Sequence, residues 1–338
     1  MGRFAFFGIV AGFALALLLL VFASCSLRTT SPRTFGAITV EAIEVPFEAR
    51  DRPRNEIGKL VYLSGFILKS TDPRFGGLSG LSVSEDGVRL TAVSDRGYWI
   101  SAQMRHESDG RLTGFEGWDI EPLLAPDGTR VNGALADAEG LARDRDGSMI
   151  VSFEQVHRLW RYAPAPTTFY SVPAPVAVPA GLARAPANGG VEAIAALPDG
   201  RLIILTEELR RSDGTLAGWI LKGDRSEAVS YVPSEGFVPA DGAALKNGDL
   251  LVLERRLSAL ATWEARIKHV AAYSLREGAR IQGVEIARIQ PPFAVDNFEG
   301  IAIYEDPQAG TFLYLVSDDN YIPFQHTLLL QFKLRRQG

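Results

Sequence analysis

A short phrase recurs along the chain and restricts the fold more than any other feature. Its fullest copy opens with Asp296 and Glu299-Gly300, runs through a short apolar stretch and a turn, and ends a second apolar stretch at Asp318-Asp319. Five copies align, with spacings of 60, 53, 49 and 58 residues between their equivalent points: Gly80, Gly140, Ala193, Gly242 and Gly300. This period lies near the upper end of the range for propeller blades.

Each copy also carries the signals of a β-hairpin and has room for two more strands. Asp-Gly or Asn-Gly between two apolar stretches is a strong hairpin signal. It occurs in four copies: Asp86-Gly87, Asp146-Gly147, Asp199-Gly200 and Asn247-Gly248. Two further strand-like stretches follow the hairpin, as at 157–163 and 168–172. Four antiparallel strands per copy predict an all-β fold, a β-propeller.

The closure of the ring can also be predicted. The last copy has a third strand at 327–334 and few residues beyond it, so its fourth strand must come from elsewhere. The strand-like stretch 59–68 precedes the first copy, and we expect it to complete the C-terminal blade. Residues 38–47 could belong to a degenerate sixth blade. We therefore expect five or six four-stranded blades in one domain spanning 37–338.

The N-terminal residues 1–25 differ from the rest of the chain. Arg3 is followed by an apolar stretch without charge at 4–23, which is typical of an export signal or a membrane anchor. Cys25, the only cysteine, follows small residues as in a lipoprotein box, so we predict that it is lipidated. An uncleaved anchor and an ordinary cleaved signal are the alternatives. Residues 26–36 are predicted to be a tether.

All three interpretations place the propeller outside the cytoplasm, on the periplasmic side of a bacterial cell envelope. Membrane contact would then be made through the N-terminus only. The formal net charge is −5, from 40 acidic and 35 basic residues, and the basic residues form no dense stripe. Nucleic acid is therefore not expected as a partner, and we expect a monomer. Neither a Gly-x-Ser-x-Gly elbow nor a His-Glu-x-x-His motif occurs.

The repeat places acidic residues where they can meet. In a blade the first strand lines the channel and the second runs antiparallel to it, so the start of the first and the end of the second lie on one face. We therefore predict a ring of carboxylates at one channel mouth: Asp95, Glu139, Glu154, Glu192, Glu207, Glu208, Asp241, Glu254, Glu299, Asp318 and Asp319. Capping of backbone N–H groups is the alternative role for any single acid.

Such a ring requires compensation, because neighbouring carboxylates raise one another's pKa. Ca²⁺ takes oxygen ligands from carboxylates, so we predict a divalent cation, Ca²⁺ in the first place, as cofactor. The predicted metal ligands are Asp95, Glu139, Glu192, Glu207, Glu254, Glu299 and Asp318.

Three arginines belong to the same predicted mouth. Arg255 and Arg256 could bind an anionic small-molecule substrate bidentately, and ion pairs with neighbouring acids are their alternative. Arg96 would stabilise charge on phosphoryl oxygens. The candidate catalytic residues are Arg96, Glu299, Asp319 and His326, the last as a proton donor.

Several phrases, in this order, resemble a known family: Gly77-Leu78-Ser79-Gly80-Leu81, 93–97, 137–140, 190–193, 297–300, 316–320 and 325–330. Over residues 55–335 the sequence resembles the bacterial phytase-like family, described as having esterase-like activity of phytase. The resemblance implies a β-propeller with phosphoester or ester hydrolase activity, distantly similar to calcium-dependent propeller phytases. The Asp-Ala-x-Asp-Asp-Pro-Ala phrase of those phytases does not occur here.

These observations predict an exported, phytase-like hydrolase that acts on a phosphoester or ester at an acidic, metal-binding channel mouth. The alternative is a non-catalytic envelope propeller that binds a ligand or protein and uses Ca²⁺ only to hold its loops. A carboxylesterase with an unidentified serine is a third hypothesis.

Overall fold

The computed structural model describes residues 36–48 and 54–335. The predicted export signal, the lipidation site at Cys25 and nearly all of the tether lie outside these described residues. Within them, no helix is long and apolar enough to cross a membrane. Helical structure among the described residues consists of short 3-10 helices: Gly133–Leu135, Thr168–Tyr170, Ala180–Arg184 and Ala272–Ser274.

The described residues form 23 strands, numbered β1 to β23 along the chain, in five sheets. Blade 1 contains β4 (Leu78–Val83), β5 (Arg89–Ser94), β6 (Tyr98–His106) and β7 (Leu112–Pro122). Blade 2 contains β8 (Ala138–Arg143), β9 (Met149–Phe153), β10 (Arg158–Tyr162) and β11 (Ala174–Val176). Blade 3 contains β12 (Val191–Ala196), β13 (Leu202–Arg210), β14 (Leu216–Lys222) and β15 (Arg225–Tyr231), with β19 (Arg280–Ile281) added in parallel to β15.

Blade 4 contains β16 (Val238–Ala244), β17 (Leu250–Leu257), β18 (Trp263–Val270) and β20 (Val284–Ile289). Blade 5 contains β21 (Asn297–Asp306), β22 (Gly310–Asp318), β23 (Thr327–Leu334) and β3 (Leu60–Ser70), with β1 (Val40–Glu44) and β2 (Glu56–Ile57) paired to β3. The innermost strands β4, β8, β12, β16 and β21 each contact the next around a ring, and β21 contacts β4. The all-β propeller prediction is confirmed, with five blades.

Blade 5 closes the ring as predicted. Strand β3 pairs antiparallel with β23, from Thr327 opposite Leu68 to Leu334 opposite Leu60. The expectation that residues 38–47 could begin a sixth blade is wrong, because β1 pairs with the other edge of β3 and extends blade 5. An N-terminal strand thus completes the C-terminal blade. Strands from early and late in the described chain therefore pair within one sheet.

The glycine of the repeated phrase is required by close contact between inner strands. A Cβ added to Gly80 would lie 2.4 Å from the backbone nitrogen of Leu141 on the next inner strand. One added to Gly140 would lie 2.6 Å from the Cγ2 of Ile194, and one on Gly300 would lie 3.0 Å from the Cβ of Leu81. The recurrence of glycine therefore follows from how closely the blades meet at the channel.

The pairing of first and second strands is interrupted by a β-bulge in every blade, at or next to the phrase. The shifts fall between Ser79 and Leu81, Ala138 and Leu141, Val191 and Ala193, Pro239 and Asp241, and Phe298 and Gly300. A bulge bends the strand and changes the direction of its side chain. Glu192 and Glu299 are themselves the extra residues, so their carboxylates can leave the alternation of the sheet.

The core lies between neighbouring blades. Between blades 1 and 2, for example, Val93 and Trp99 pack with Val151 and Tyr162, and the Trp99 and Tyr162 rings meet edge to face at 5.0 Å. Aromatic pairs of this kind stabilise beyond the area they bury. The mouth of the channel is therefore built on strand ends held by a packed apolar core.

Candidate functional site

Acidic residues from several blades converge around Arg255, which lies near the end of β17. Its Nη1 forms an ion pair with Glu299 Oε1 and donates to Asn297 Oδ1 at 2.9 Å. Its Nη2 donates to Glu207 Oε1 at 3.3 Å. Burial alone would lower the pKa of Arg255, but Glu192, Glu207 and Glu139 raise it above its usual value. One half-buried guanidinium therefore interacts with acids of blades 2, 3 and 5.

Glu299 is fully engaged in this network. Besides the Arg255 contact, its Oε1 accepts from Asn297 Nδ2 at 2.6 Å and its Oε2 accepts from Ser79 Oγ at 3.2 Å. Ser79 stands in the first repeat at the position that Glu299 occupies in the fifth. The chain of contacts from Ser79 through Glu299 and Arg255 to Glu207 thus joins blades 1, 5, 4 and 3.

The other side of the mouth holds carboxylates without such a partner. Asp137, Glu139 and Glu154 each offer an oxygen, and these atoms all lie within 4.8 Å of one another. We call these three residues the acid trio. Burial, and then Asp137 and Glu154, raise the pKa of Glu139 well above its ordinary value. Burial also raises the pKa of Glu154 to about 7, although the N–H groups of Gly190 and Gly189 oppose this.

Two further acids adjoin the acid trio. Glu192 is 3% exposed, and its Oε2 is buried without a hydrogen-bond partner. Burial, followed by the charges of Glu139 and Glu207, raises the pKa of Glu192 well above its ordinary value. Asp95 also has a buried oxygen, Oδ1, without a partner. Burial, then Asp318 and Asp137, raise the pKa of Asp95 to about 7.

This donor set suits a hard divalent cation. Its members are carboxylates only, they are partly or fully buried, and the unpartnered Glu192 oxygen would gain a favourable contact from a positive charge. A cation would also relieve the repulsion that raises these pKa values. The acid trio could therefore hold a metal ion, with Glu192 beside it.

Blade 5 contributes a loop after β22. Asp318 accepts the Asn320 N–H at 2.7 Å, yet burial dominates and raises its pKa to about 6. Asp319 accepts from the Gly77 N–H at 3.0 Å, the Tyr321 N–H at 3.2 Å and the Thr327 hydroxyl at 3.2 Å. Asp319 thus fastens this loop to the entrance of blade 1.

His326 lies at the other end of the same loop. Its ring Nδ1 is 3.7 Å from Asp296 Oδ2, and its backbone N–H donates to the same oxygen at 2.9 Å. The side chain is 43% exposed. His326 therefore contacts Asp296 rather than a member of the acid trio.

Two predicted site residues point away from the mouth. Glu254 is fully buried and is held by Arg266, by Lys268 Nζ at 3.5 Å and by the Tyr231 hydroxyl at 2.9 Å. Arg256 pairs with Glu264 at 2.7 Å. Side chains alternate along a strand, so the neighbours of Arg255 face the opposite way. The expectation that Glu254 is a metal ligand and Arg256 a substrate contact is not met by this placement.

The placement of two other acids of the predicted ring also differs from the expectation. Glu208 is exposed on β13, and its side chain lies against Gly189. Asp241 is fully buried, and its oxygens accept the Gly242 N–H at 2.7 Å and the Ile301 N–H at 2.8 Å. Burial raises the pKa of Asp241 well above its ordinary value, while these amides and those of Leu81 and Ile194 lower it.

Asp241 therefore caps backbone groups of three or more inner strands instead of reaching the mouth. It stands where Glu139, Glu192 and Glu299 stand in other repeats. With one methylene fewer, its carboxylate remains among the strands, which is the capping alternative raised from the sequence.

Sequence reasoning missed Asp137, Asn297 and Tyr321 as members of the mouth. Asp137 lies two residues before Glu139, and this spacing could have indicated a shared face. The roles of Asn297 and Tyr321 depend on contacts between blades, for which the local sequence carries no signal.

The fold and the site together define a class: a five-bladed β-propeller with a carboxylate-lined channel mouth. Residues 73–321 match the phytase-like family model, described as esterase-like activity of phytase. Because the match covers more than half of the chain, the protein belongs to the phytase-like family. No curated protein matches the sequence.

Solved structures with a similar course of the chain include three enzymes or candidate enzymes. An α-L-arabinofuranosidase from Podospora anserina is 12% identical, with 81% of this chain and 97% of that chain covered and a TM-score of 0.49. The PQQ-bound aldose sugar dehydrogenase from Streptomyces coelicolor is 13% identical, with 88% and 99% covered and a TM-score of 0.41.

A candidate gluconolactonase is 14% identical, with 88% of this chain and 95% of that chain covered and a TM-score of 0.43. At these values the three similarities carry no conclusion about the chemistry of this chain.

Proposed function

We propose that the protein is an exported hydrolase that cleaves a phosphoester or an ester at the acidic channel mouth with a divalent cation, Ca²⁺ in the first place. The observation that carries the proposal is the acid trio, whose three carboxylate oxygens lie within 4.8 Å of one another beside the unpartnered Glu192 oxygen. A cation bound there would polarise a phosphoryl or carbonyl oxygen and lower the pKa of a water molecule.

The chain's own residues have separate roles in this proposal. Arg96 binds the anionic oxygens of the substrate. Asp95, whose pKa is raised to about 7, can hold or release a proton near neutral pH. Glu299 is committed to Arg255, so it positions that guanidinium and is not free to transfer a proton. The roles predicted for Asp319 and His326 stay predictions.

One observation favours the non-catalytic alternative. Glu154 belongs to the acid trio and also accepts the Gly189 N–H at 2.8 Å, which ties blade 2 to the entrance of blade 3. A cation at the acid trio would therefore also stabilise the contact between these blades. Under this alternative the propeller binds a ligand or protein, and the cation is structural.

Activity and melting measurements separate the two. The purified protein is assayed with p-nitrophenyl phosphate, p-nitrophenyl acetate and phytate, in Ca²⁺ and in EDTA. The variants are Glu139→Gln in the acid trio and Glu116→Gln, an exposed control on β7. The hydrolase predicts cation-dependent turnover that falls by about 100-fold or more in Glu139→Gln and persists in Glu116→Gln. Absence of turnover with every ester, together with a melting temperature that still rises with Ca²⁺, would leave the binding propeller.

Export and membrane attachment are part of the proposal and rest on residues 1–25 of the sequence. Replacement of Cys25 by Ser should release the protein from the membrane fraction if a lipid at Cys25 is its anchor. Unchanged membrane association would instead indicate the uncleaved helix.

A further inference from the structure

Arg96 is a free guanidinium at the mouth. It lies in the turn between β5 and β6, and its Cζ is 3.2 Å from the centre of the Tyr321 ring. The side chain is exposed, and among the described residues the guanidinium forms no hydrogen bond or ion pair. Arg255 and Arg256, by contrast, are held by Glu207 and Glu264. Arg96 therefore keeps its five N–H donors available to a ligand.

The Tyr321 ring under this guanidinium is fixed from several directions. Its hydroxyl donates to the Gly76 carbonyl oxygen at 3.0 Å, and its N–H donates to Asp319 Oδ1 at 3.2 Å. A Cβ added to Gly77 would lie 2.7 Å from Tyr321 Cε2, and one added to Gly76 would lie 2.9 Å from Cε1. The ring is thus packed against the backbone of two glycines, where a side chain could not fit.

The backbone that presents the ring is unusual. Asn320 and Tyr321 have φ angles of 47° and 52°, in the left-handed region that non-glycine residues adopt only at an energetic cost. Such a conformation persists only when its surroundings enforce it, and Asp319 does so by binding the N–H groups of both Tyr321 and Gly77. The loop after β22 is therefore built to hold this ring at the entrance of blade 1.

Asp95 links the Arg96 guanidinium to the acid trio. This carboxylate interacts electrostatically both with Arg96 and with Asp137 of the acid trio. When a planar guanidinium stacks on an aromatic ring, its N–H groups point outward, parallel to the ring. There they can donate two hydrogen bonds to one oxyanion.

We propose that Tyr321 is a positioning residue that fixes the Arg96 guanidinium at the channel mouth, and that Arg96 there binds a tetrahedral oxyanion of the ligand. Assignment of that oxyanion to a substrate rests on the proposed function. The binding site itself does not, because it depends only on Arg96, Tyr321 and the loop that holds them.

The test measures binding of inorganic phosphate by isothermal titration calorimetry with Ca²⁺ present, and the KM and kcat for p-nitrophenyl phosphate. The variants are Arg96→Ala, Arg96→Lys, Tyr321→Leu and the matched control Tyr321→Phe, which keeps the ring and loses only the hydroxyl. We expect Arg96→Ala to weaken phosphate binding by about 30-fold and Tyr321→Leu by about tenfold. Tyr321→Phe keeps the stacked ring but loses the hydrogen bond to Gly76, so it should weaken phosphate binding less than Tyr321→Leu does, whereas the exposed control Glu116→Gln should bind as the natural protein does.

The KM should rise in parallel with the phosphate dissociation constant, since the oxyanion is already held in the ground state. In the double variant Arg96→Ala/Tyr321→Leu, the loss should be no larger than in Arg96→Ala alone, because Tyr321 acts only through Arg96. An additive double variant, or phosphate binding by Tyr321→Leu that equals the natural protein, would overturn the proposal.

Failure of the hydrolase function would look different. If no ester is turned over but phosphate binding still depends on Arg96 and Tyr321, the positioning role stands and the hydrolase falls. If esters are turned over but neither variant changes phosphate binding or KM, the hydrolase stands and the positioning role is refuted.

Discussion

The two sides of the channel mouth treat buried carboxylates differently. Toward blades 3 to 5, Glu207 and Glu299 share the guanidinium of Arg255, and Asn297 and Ser79 complete the hydrogen bonding of Glu299. Toward blades 1 and 2, the acid trio and Asp95 lie close together with no arginine or lysine hydrogen-bonded to them among the described residues. We call these the paired side and the unpaired side.

The difference indicates which side is made for a ligand. A buried ion pair with its hydrogen bonds satisfied is a structural element, and it loses several kcal/mol when one partner is removed. A group of buried acids with raised pKa values holds unfavourable energy in the free protein and can release it when a cation binds. The paired side therefore holds the blades together, and the unpaired side is where we propose that the cation binds.

Removal of the guanidinium from the paired side should have the largest effect. Arg255→Met leaves Glu299 and Glu207 without a counter-charge, so we expect a loss of about 3 to 5 kcal/mol in the free energy of unfolding at pH 7. Urea unfolding monitored by circular dichroism measures it. The matched control is Arg256→Met on the same strand, whose partner Glu264 lies outside the mouth, with an expected loss of about 1 kcal/mol or less.

Equal losses of stability in the two variants would contradict the distinction between the paired and the unpaired side. A second readout keeps the test specific: at pH 5 the uncompensated carboxylates of Arg255→Met can take up protons, so part of the lost stability should return. Arg256→Met should show no such recovery. Equal recovery in both would mean that Arg255 is not the counter-charge of the mouth.

The fold could be predicted from sequence because its signals repeat. Four Asp-Gly or Asn-Gly turns and five copies of one phrase fix the strand order, and the free strand 59–68 fixes the closure. The sequence leaves the number of blades open between five and six, because nothing in residues 38–47 shows whether a strand starts a new sheet or pairs at an edge. That choice depends on the unpaired edge of β3, a property of the folded sheet.

The site could be predicted only in outline. Several of the predicted acids do converge, but Glu208, Asp241 and Glu254 do not, and the position of each acid is set by bulges, by strand alternation and by side-chain length. Asp241 and Glu299 have the same place in the repeat, yet the first caps inner strands and the second meets Arg255. Arg255 and Arg256 are adjacent and identical in type, and strand alternation alone separates them. No residue pattern shows that Tyr321 is held by Gly76 and Gly77 from another blade.

Cation binding at the unpaired side should change the stability of the protein by an amount between those of the other two predictions. A ligand that binds only the folded state at a hundredfold excess over its Kd stabilises by about 2.7 kcal/mol. We expect Ca²⁺ to raise the melting temperature of the natural protein accordingly, and Glu139→Gln to abolish the rise because it removes a central ligand. The cation-free stability of Glu139→Gln should stay within about 1 kcal/mol of the natural protein, since that carboxyl has a raised pKa and loses little on neutralisation.

Differential scanning calorimetry in Ca²⁺ and in EDTA measures both quantities. Glu116→Gln, exposed and distant from the mouth, should respond to Ca²⁺ as the natural protein does. A Glu139→Gln variant that still gains stability with Ca²⁺ would move the cation site away from the unpaired side.

The smallest effect, and the most specific to the unpaired side, is the pH dependence of the free energy of unfolding of the cation-free protein. Burial raises the pKa of Asp95 and Glu154 to about 7 and that of Asp318 to about 6. The folded state then binds more protons than the unfolded state between the ordinary carboxyl pKa, near 4, and pH 7. Stability must therefore fall as pH rises through this window, and we expect a loss of at least about 1 to 2 kcal/mol between pH 5 and pH 8 in EDTA.

Saturating Ca²⁺ should reverse the sign, because the cation binds the deprotonated carboxylates and its affinity rises as protons leave. Urea unfolding at four or five pH values, with and without Ca²⁺, gives the two slopes. Asp72 does not contribute in this range, because its hydrogen bonds with Arg74 lower its pKa to about 2. Two slopes of the same sign would show that the unpaired acids are not the cation site, whereas opposite slopes tie the proton and the cation to the same carboxylates.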